Sequence, residues 1–145
     1  MKILIDTNIF LDVILFRDQH YENSAKVWSL VSEKKISGYI SAISINNLHY
    51  ILLKQKDRTS LGELVSQLLD EFEIVPLTKS LLLEAKKMDK NDLEDMIQFV
   101  SARRSGCDHL ITRNAKDFPE EKISIVEPAD FMEIISEKKE QDEPI

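Results

Sequence analysis

Short apolar runs alternate along the chain with longer amphipathic stretches. Ile3 to Asp6, Gly38 to Ala42, Phe72 to Val75, Cys107 to Thr112 and Ser124 to Val126 are brief and rich in Ile, Leu and Val, the signature of strands. Continuous apolar runs belong to strands covered on both faces, as in parallel sheets. Helical patterns fill the intervals, over Ile9 to Phe16, His20 to Lys34, Ser44 to Lys54, Ser60 to Leu69, Thr78 to Met88 and Asp92 to Ser105. This alternation predicts an α/β fold, with a central, mostly parallel sheet covered by helices on both faces.

Three polar clusters interrupt the pattern at element ends. Asp6, Thr7 and Asn8 follow the run Ile3 to Ile5. Ligands in open α/β sheets bind outside the carboxyl ends of strands, yet the same residue types are good helix caps. The triplet alone leaves both readings open. In "NDLEDMIQFVSARRSG", Asn91 or Asp92 can cap a helix that Gly106 ends. Leu93, Met96, Ile97 and Val100 form one apolar stripe, while Asp95, Phe99 and Ala102 share another side. Asp95 is therefore expected at the edge of a buried surface. Alternatively, Asp92, Glu94 and Asp95 only complement the positive end of the helix dipole. In "CDHLITRNAKDF", Leu110 and Ile111 run into Thr112, Asn114 and Asp117, which make either an ordinary turn or a polar cluster facing the same crevice as Asp6. Two acid-bearing strand ends and a sheltered Asp point to one shared site rather than three unrelated caps.

Length and charge narrow the class. The 145 residues fit one domain, expected over 1–135, and the charged segment 136–145, "SEKKEQDEPI", reads as a frayed tail. A net charge of -7 argues against gripping nucleic acid through the overall field, though not against a local basic groove. No long apolar stretch and no charged leader before an apolar segment is visible, so no membrane association and a cytoplasmic location are expected. Cys107 is the only cysteine, which excludes an internal disulfide and a cysteine-based zinc cage. His20, His49 and His109 lack metal-ligand spacing. Trp28 lies among apolar neighbours as core or interface, and Tyr50 is ambiguous between such roles and base stacking.

Taken in order, "ILIDTNIFLDVIL", "YISAISINNLHYIL", "DLEDMIQFVSA" and "HLITRNAKDF" resemble the PIN-domain family of metal-dependent ribonucleases, which includes the toxins of VapBC-type toxin–antitoxin pairs. The resemblance spans nearly the whole chain. It implies a three-layer α/β/α sandwich whose acids gather at the carboxyl edge of the sheet. Asp6 and Asp95 take the places of the first and third family acids, with Asp92 an additional candidate one turn earlier. Asn114 stands where many relatives carry an acid, and Asp117 follows three residues later. The second block departs: where a Glu is usual, this chain has Asn47, as a subset of the family does.

The resemblance thus implies catalytic roles for Asp6, Asn47, Asp92, Asp95 and Asp117, with Asp6, Asp95 and Asp117 as ligands of Mg²⁺ or Mn²⁺. Close carboxylates repel unless a cation compensates, and these ions take hard oxygen ligands. Thr7, Asn8, Ser41, Arg113 and Asn114 are candidates for handling RNA, with Ser44, Arg103, Arg104 and Lys116 as further polar neighbours. An RNA substrate, an antitoxin partner and a homodimer are implied, the last also by the apolar content around Trp28 and Leu48 to Leu53. A haloacid-dehalogenase-type phosphatase also starts with an apolar strand and an Asp, but its chemistry needs a second Asp at position 8, where this chain has Asn. Asn47 keeps open a different class, a catalytically weakened PIN fold that binds RNA or protein.

Overall fold

The computed structural model describes residues 1–88, 92–119 and 123–142. Five strands form one sheet: β1 (Lys2–Ile5), β2 (Ser37–Ser41), β3 (Phe72–Val75), β4 (His109–Ile111) and β5 (Ser124–Val126). Their order is β3-β2-β1-β4-β5, and every pairing is parallel. The helices are α1 (Thr7–Ile14), α2 (Tyr21–Ser32), α3 (Ala42–Leu52), α4 (Arg58–Glu71), α5 (Lys79–Lys87), α6 (Leu93–Arg104) and α7 (Pro128–Asp142), with a 3-10 turn at Ala115–Asp117.

Side-chain alternation along β1 divides the core. Ile3 and Ile5 face one layer with Phe10, Trp28, Ile40, Leu48 and Phe131, while Leu4 faces the other with Phe99, Val100 and Leu110. Ile3, Leu4 and Ile5 are all fully buried, which explains why the run lacks polar alternation. Phe10 meets Trp28 and Phe72 edge-on at centroid distances of 5.0 and 5.3 Å, so Trp28 belongs to the core. Its Nε1 donates to Glu71 Oε2 at 3.1 Å.

β1 is the central strand, and the connections leave it in opposite directions, toward β2 and β3 and later toward β4 and β5. The crevice outside the carboxyl ends of β1 and β4 is thus the topological switch point, where such sheets bind ligands.

Helix boundaries follow local chemistry. Asp57 and Thr78 cap α4 and α5 by accepting from Ser60 N and Leu81 N. Behind α6, Gly106 adopts a φ of 69°, and Gly106 N and Cys107 N donate to the carbonyls of Arg103 and Ala102, a Schellman ending. Two expectations need correction. Leu93 is 50% exposed and is not part of the buried stripe that Met96, Ile97 and Val100 form. The segment from Ser136, read as a frayed tail, is helical to Asp142. It extends a helix already anchored by Phe131 and Ile135, and adding a residue to an existing helix is far easier than nucleating one. Residues 143–145 of that tail, and Asn91 as a possible cap, lie outside the described residues.

Gly38 is required by close packing. A Cβ there would lie 2.5 Å from Val31 Cγ1 and 2.7 Å from Phe72 Cε1. Gly38→Ala is expected to destabilise the fold by about 1–3 kcal/mol through overpacking, seen as a lower urea midpoint. An unchanged midpoint would show that α2 and β3 yield freely.

Candidate active site

Asp6 occupies the junction between β1 and α1, at the N-cap position, but its carboxylate makes no capping hydrogen bond to the helix. Instead Thr112 Oγ1, just beyond β4, donates to Asp6 Oδ2 at 2.9 Å. The two strand ends are further tied by Asp6 N donating to the Ile111 carbonyl at 3.0 Å. Simple capping therefore does not account for Asp6. Only 4% of the residue is exposed. Burial raises its pKa to about 6, with Glu94 and Asp92 adding repulsion, against the opposing pull of the Thr112 hydroxyl and the Thr7 backbone N–H.

The first turn of α6 faces the same place. Asp92 caps that helix, accepting from Asp95 N at 3.1 Å. Asp95 stands half-buried over the fully buried Phe99 and Ala102. Its pKa is pushed up to about 7, first by burial and then by the charges of Asp92, Asp6, Glu94 and Asp117. Asp117 lies on the 3-10 turn, exposed, within electrostatic reach of Asp95.

A crevice of about 280 Å³ opens between these elements. Asp6, Thr7, Asn8 and Leu11 line it from α1 and its cap, Asn47, Tyr50 and Ile51 from α3, and Asp92, Glu94 and Asp95 from α6. Among the described residues no Lys, Arg or His lines it. Ser41, Arg113, Asn114 and Asp117 stand outside that lining. Ser41 is buried and caps α3, accepting from Ile43 N at 3.3 Å. Asn114 precedes the 3-10 turn, its N–H directed at Thr112 Oγ1 at 3.4 Å.

The candidate arginines are drawn to other acids. Arg113 Nε lies 3.5 Å from Asp12 Oδ2, and Arg17 Nη1 lies 3.4 Å from Asp12 Oδ1. Asp12 is fully buried and also accepts from Ser24 Oγ at 3.2 Å. Arg103 and Arg104 both engage Glu84, at 3.1 and 2.7 Å. Lys116 is exposed on the 3-10 turn.

Two residues that the sequence reading passed over complete the site. Glu94 Oε1 accepts from Asn47 Nδ2 at 3.0 Å and, at a longer 3.4 Å, from Thr7 Oγ1. Gln98, fully buried one turn later, donates to Ser44 Oγ at 2.8 Å. In the sequence Glu94, Gln98 and Ser101 form a polar series at helical spacing that reads as a solvated face, although the helix is buried nearly all round there.

Chemically the crevice presents hard oxygen donors and a concentration of negative charge, with no counter-charge in its lining among the described residues. Among the described residues, no three Asp, Glu, His or Cys side chains form a group able to hold one ion by themselves. A Mg²⁺ ion typically uses only one or two protein carboxylates and keeps several waters.

Comparison with known proteins fits this geometry. The PIN-domain family model matches residues 2–116. Ribonuclease VapC1 of Aquifex aeolicus (strain VF5) is 28% identical over 137 residues, 91% of this chain and 94% of that protein. Among solved structures, DNA-bound VapBC from Salmonella typhimurium has a similar fold, with a TM-score of 0.65 at 18% identity over 88% of this chain and 98% of that one. VapBC2 from Rickettsia felis, bound to a promoter DNA fragment, has a TM-score of 0.63 at 19% identity, covering 88% of this chain and 98% of its own. The family match over most of the chain, the all-parallel sheet and the acids at its switch point lead to one conclusion: the chain belongs to the PIN-domain family.

Proposed function

We propose that this protein is a divalent-metal-dependent endoribonuclease that hydrolyses phosphodiester bonds in single-stranded or loop RNA, as the toxin of a toxin–antitoxin pair. The observation that carries this reading is a crevice lined by Asp6, Asp92, Glu94 and Asp95 and, among the described residues, by no basic side chain. Such a crevice repels a phosphate until a cation enters it. The similarity to ribonuclease VapC1 supports RNA as substrate.

Asp6 and Asp95 would hold Mg²⁺ or Mn²⁺, with Asp117 and Asp92 nearby. When bound, such an ion polarises a phosphoryl oxygen and lowers the pKa of water. Thr112 keeps Asp6 oriented through its hydroxyl. Thr7 and Asn8 open α1, whose N-terminal N–H groups and positive dipole end favour an anionic group at the crevice mouth. Tyr50, 75% exposed, and Ile51 supply an apolar wall on the α3 side.

An antitoxin would silence the site by placing a basic side chain among these acids. The fold neighbours include a toxin–antitoxin complex from Klebsiella pneumoniae, which supports a protein partner. For a homodimer, the available surface is narrower than expected: Trp28, Leu48 and Leu52 are buried, leaving Tyr50 and Ile51 exposed on α3 and Leu53 exposed at its C-cap.

The test is Mn²⁺ titration by calorimetry together with cleavage of a mixed-sequence single-stranded RNA. Mn²⁺ binding and internal cleavage that stops on chelation are expected. RNA retention without cleavage at saturating Mn²⁺ would instead identify a binding module.

A further inference from the structure

The hydrogen bonds around Glu94 have a direction that can be deduced. A carboxylate only accepts, so in the contact between Thr7 Oγ1 and Glu94 Oε1 the Thr7 hydroxyl donates. Thr7 has one proton. With that proton directed at Glu94, its 2.7 Å bond with Ser44 Oγ has Thr7 as acceptor and Ser44 as donor. Ser44 in turn accepts from Gln98 Nε2 at 2.8 Å. The second N–H of Gln98 lies 3.5 Å from Thr7 Oγ1. Asn47 Nδ2 adds a separate donor to the same Glu94 oxygen. Gln98, Ser44, Thr7 and Asn47 thus form a one-way set of donors that ends on Glu94 Oε1.

We propose that Glu94 is a working acid of this site, positioned by a donor relay anchored at Gln98, and that it supplies the negative charge absent at Asn47. The inference rests on the metal-dependent reading above. The relay joins α1, α3 and α6, the three helices that wall the crevice, and fixes one oxygen of Glu94. Glu94 lines the crevice, and among the described residues its hydrogen bonds are to Oε1, none to Oε2. Gln98 is fully buried, and among the described residues its own Oε1 has no hydrogen-bond partner. A position serving packing alone would favour an apolar side chain over an amide left half-satisfied. Asn47 is then a positioning residue, and its amide does what a Glu at 47 could not, since a carboxylate has no proton to donate to Glu94.

Mn²⁺ affinity measured by calorimetry on the full chain tests this, with the melting midpoint in EDTA as a check on folding. Glu94→Gln keeps shape and loses the charge, and more than about tenfold weaker binding is expected. Thr7→Val breaks the relay and is expected to weaken binding about tenfold, the low end of effects for groups that orient ligands. Thr7→Ser restores the hydroxyl and should recover wild-type affinity, a rescue that loss of packing alone would not give. Should Thr7→Val fail to fold, Asn47→Ala removes the other donor and is expected to weaken binding similarly. Wild-type binding with unchanged affinity in Glu94→Gln overturns this proposal and leaves the nuclease reading standing. No Mn²⁺ binding by the wild type overturns that reading, and this proposal with it.

Discussion

Asp6→Asn is expected to make the metal-free protein more stable at neutral pH while removing its metal binding. The Asp6 carboxyl has its pKa raised from 3.8 to about 6, first of all by burial. Below about pH 4 both folded and unfolded states are protonated and nothing is lost. As pH rises toward 6 the unfolded chain releases its proton first, so the folded state binds more protons and stability falls. Above about pH 6 the penalty is complete, about 3 kcal/mol for a shift of this size. Asn removes the charge yet keeps an oxygen that can accept from the Thr112 hydroxyl. Urea midpoints in EDTA between pH 4 and 7.5 should therefore fall with pH in the wild type and less steeply in Asp6→Asn, with the variant up to about 3 kcal/mol more stable at pH 7. Adding Mn²⁺ should raise the wild-type midpoint by ligand linkage and leave the variant unmoved. Cleavage should drop by more than about 100-fold, beyond the range for groups that only orient ligands. A variant less stable than wild type at pH 7 in EDTA would mean that the Asp6 charge is not a burden to the fold.

Such a trade of stability for a charged crevice explains which features could be read in the sequence. The strands were legible because Ile3, Leu4 and Ile5, or Leu110 and Ile111, are buried on both faces and leave no room for polar alternation. Asp6 and Asp95 stood out because each breaks an apolar pattern. Glu94 did not, since acids in a first helical turn are ordinary dipole partners, and only its contacts with Asn47 and Thr7, 47 and 87 positions away, distinguish it. Gln98 gave no warning because a buried amide differs from an exposed one only through its partners. Arg113 and Ser41 were placed by residue type at strand ends. The first is engaged by the buried Asp12, and the second is used as a helix cap. Strand order, and with it the switch point, depends on which strands pair across long separations, such as Leu4 with Leu110. Local patterns carry no record of that pairing.

Metal affinity should depend steeply on pH, and that dependence distinguishes the roles of the acids. In the metal-free protein the pKa of Asp95 lies at about 7 and that of Asp6 at about 6, both raised by burial and then by neighbouring acids. Mn²⁺ must displace any proton these carboxylates hold. Apparent affinity is therefore expected to level off above about pH 8, to fall about tenfold per pH unit between 7 and 6, and to approach a hundredfold per unit below 6, as one and then two protons compete. A flat profile across that range would mean that neither carboxyl binds the ion. Asp117 can be placed by the same curve, because its charge contributes to the rise at Asp95. If Asp117 acts only through its charge, Asp117→Asn lowers the Asp95 pKa and removes a matching attraction for the ion, so the affinity curve moves to lower pH and its plateau at pH 8 falls only slightly. If Asp117 ligates the ion, the fall of the plateau dominates. Calorimetric titrations at several pH values in wild type and Asp117→Asn give both quantities. The exposed position of Asp117 on the 3-10 turn, outside the crevice lining, leads us to expect the shifted curve with only the slight loss at its plateau.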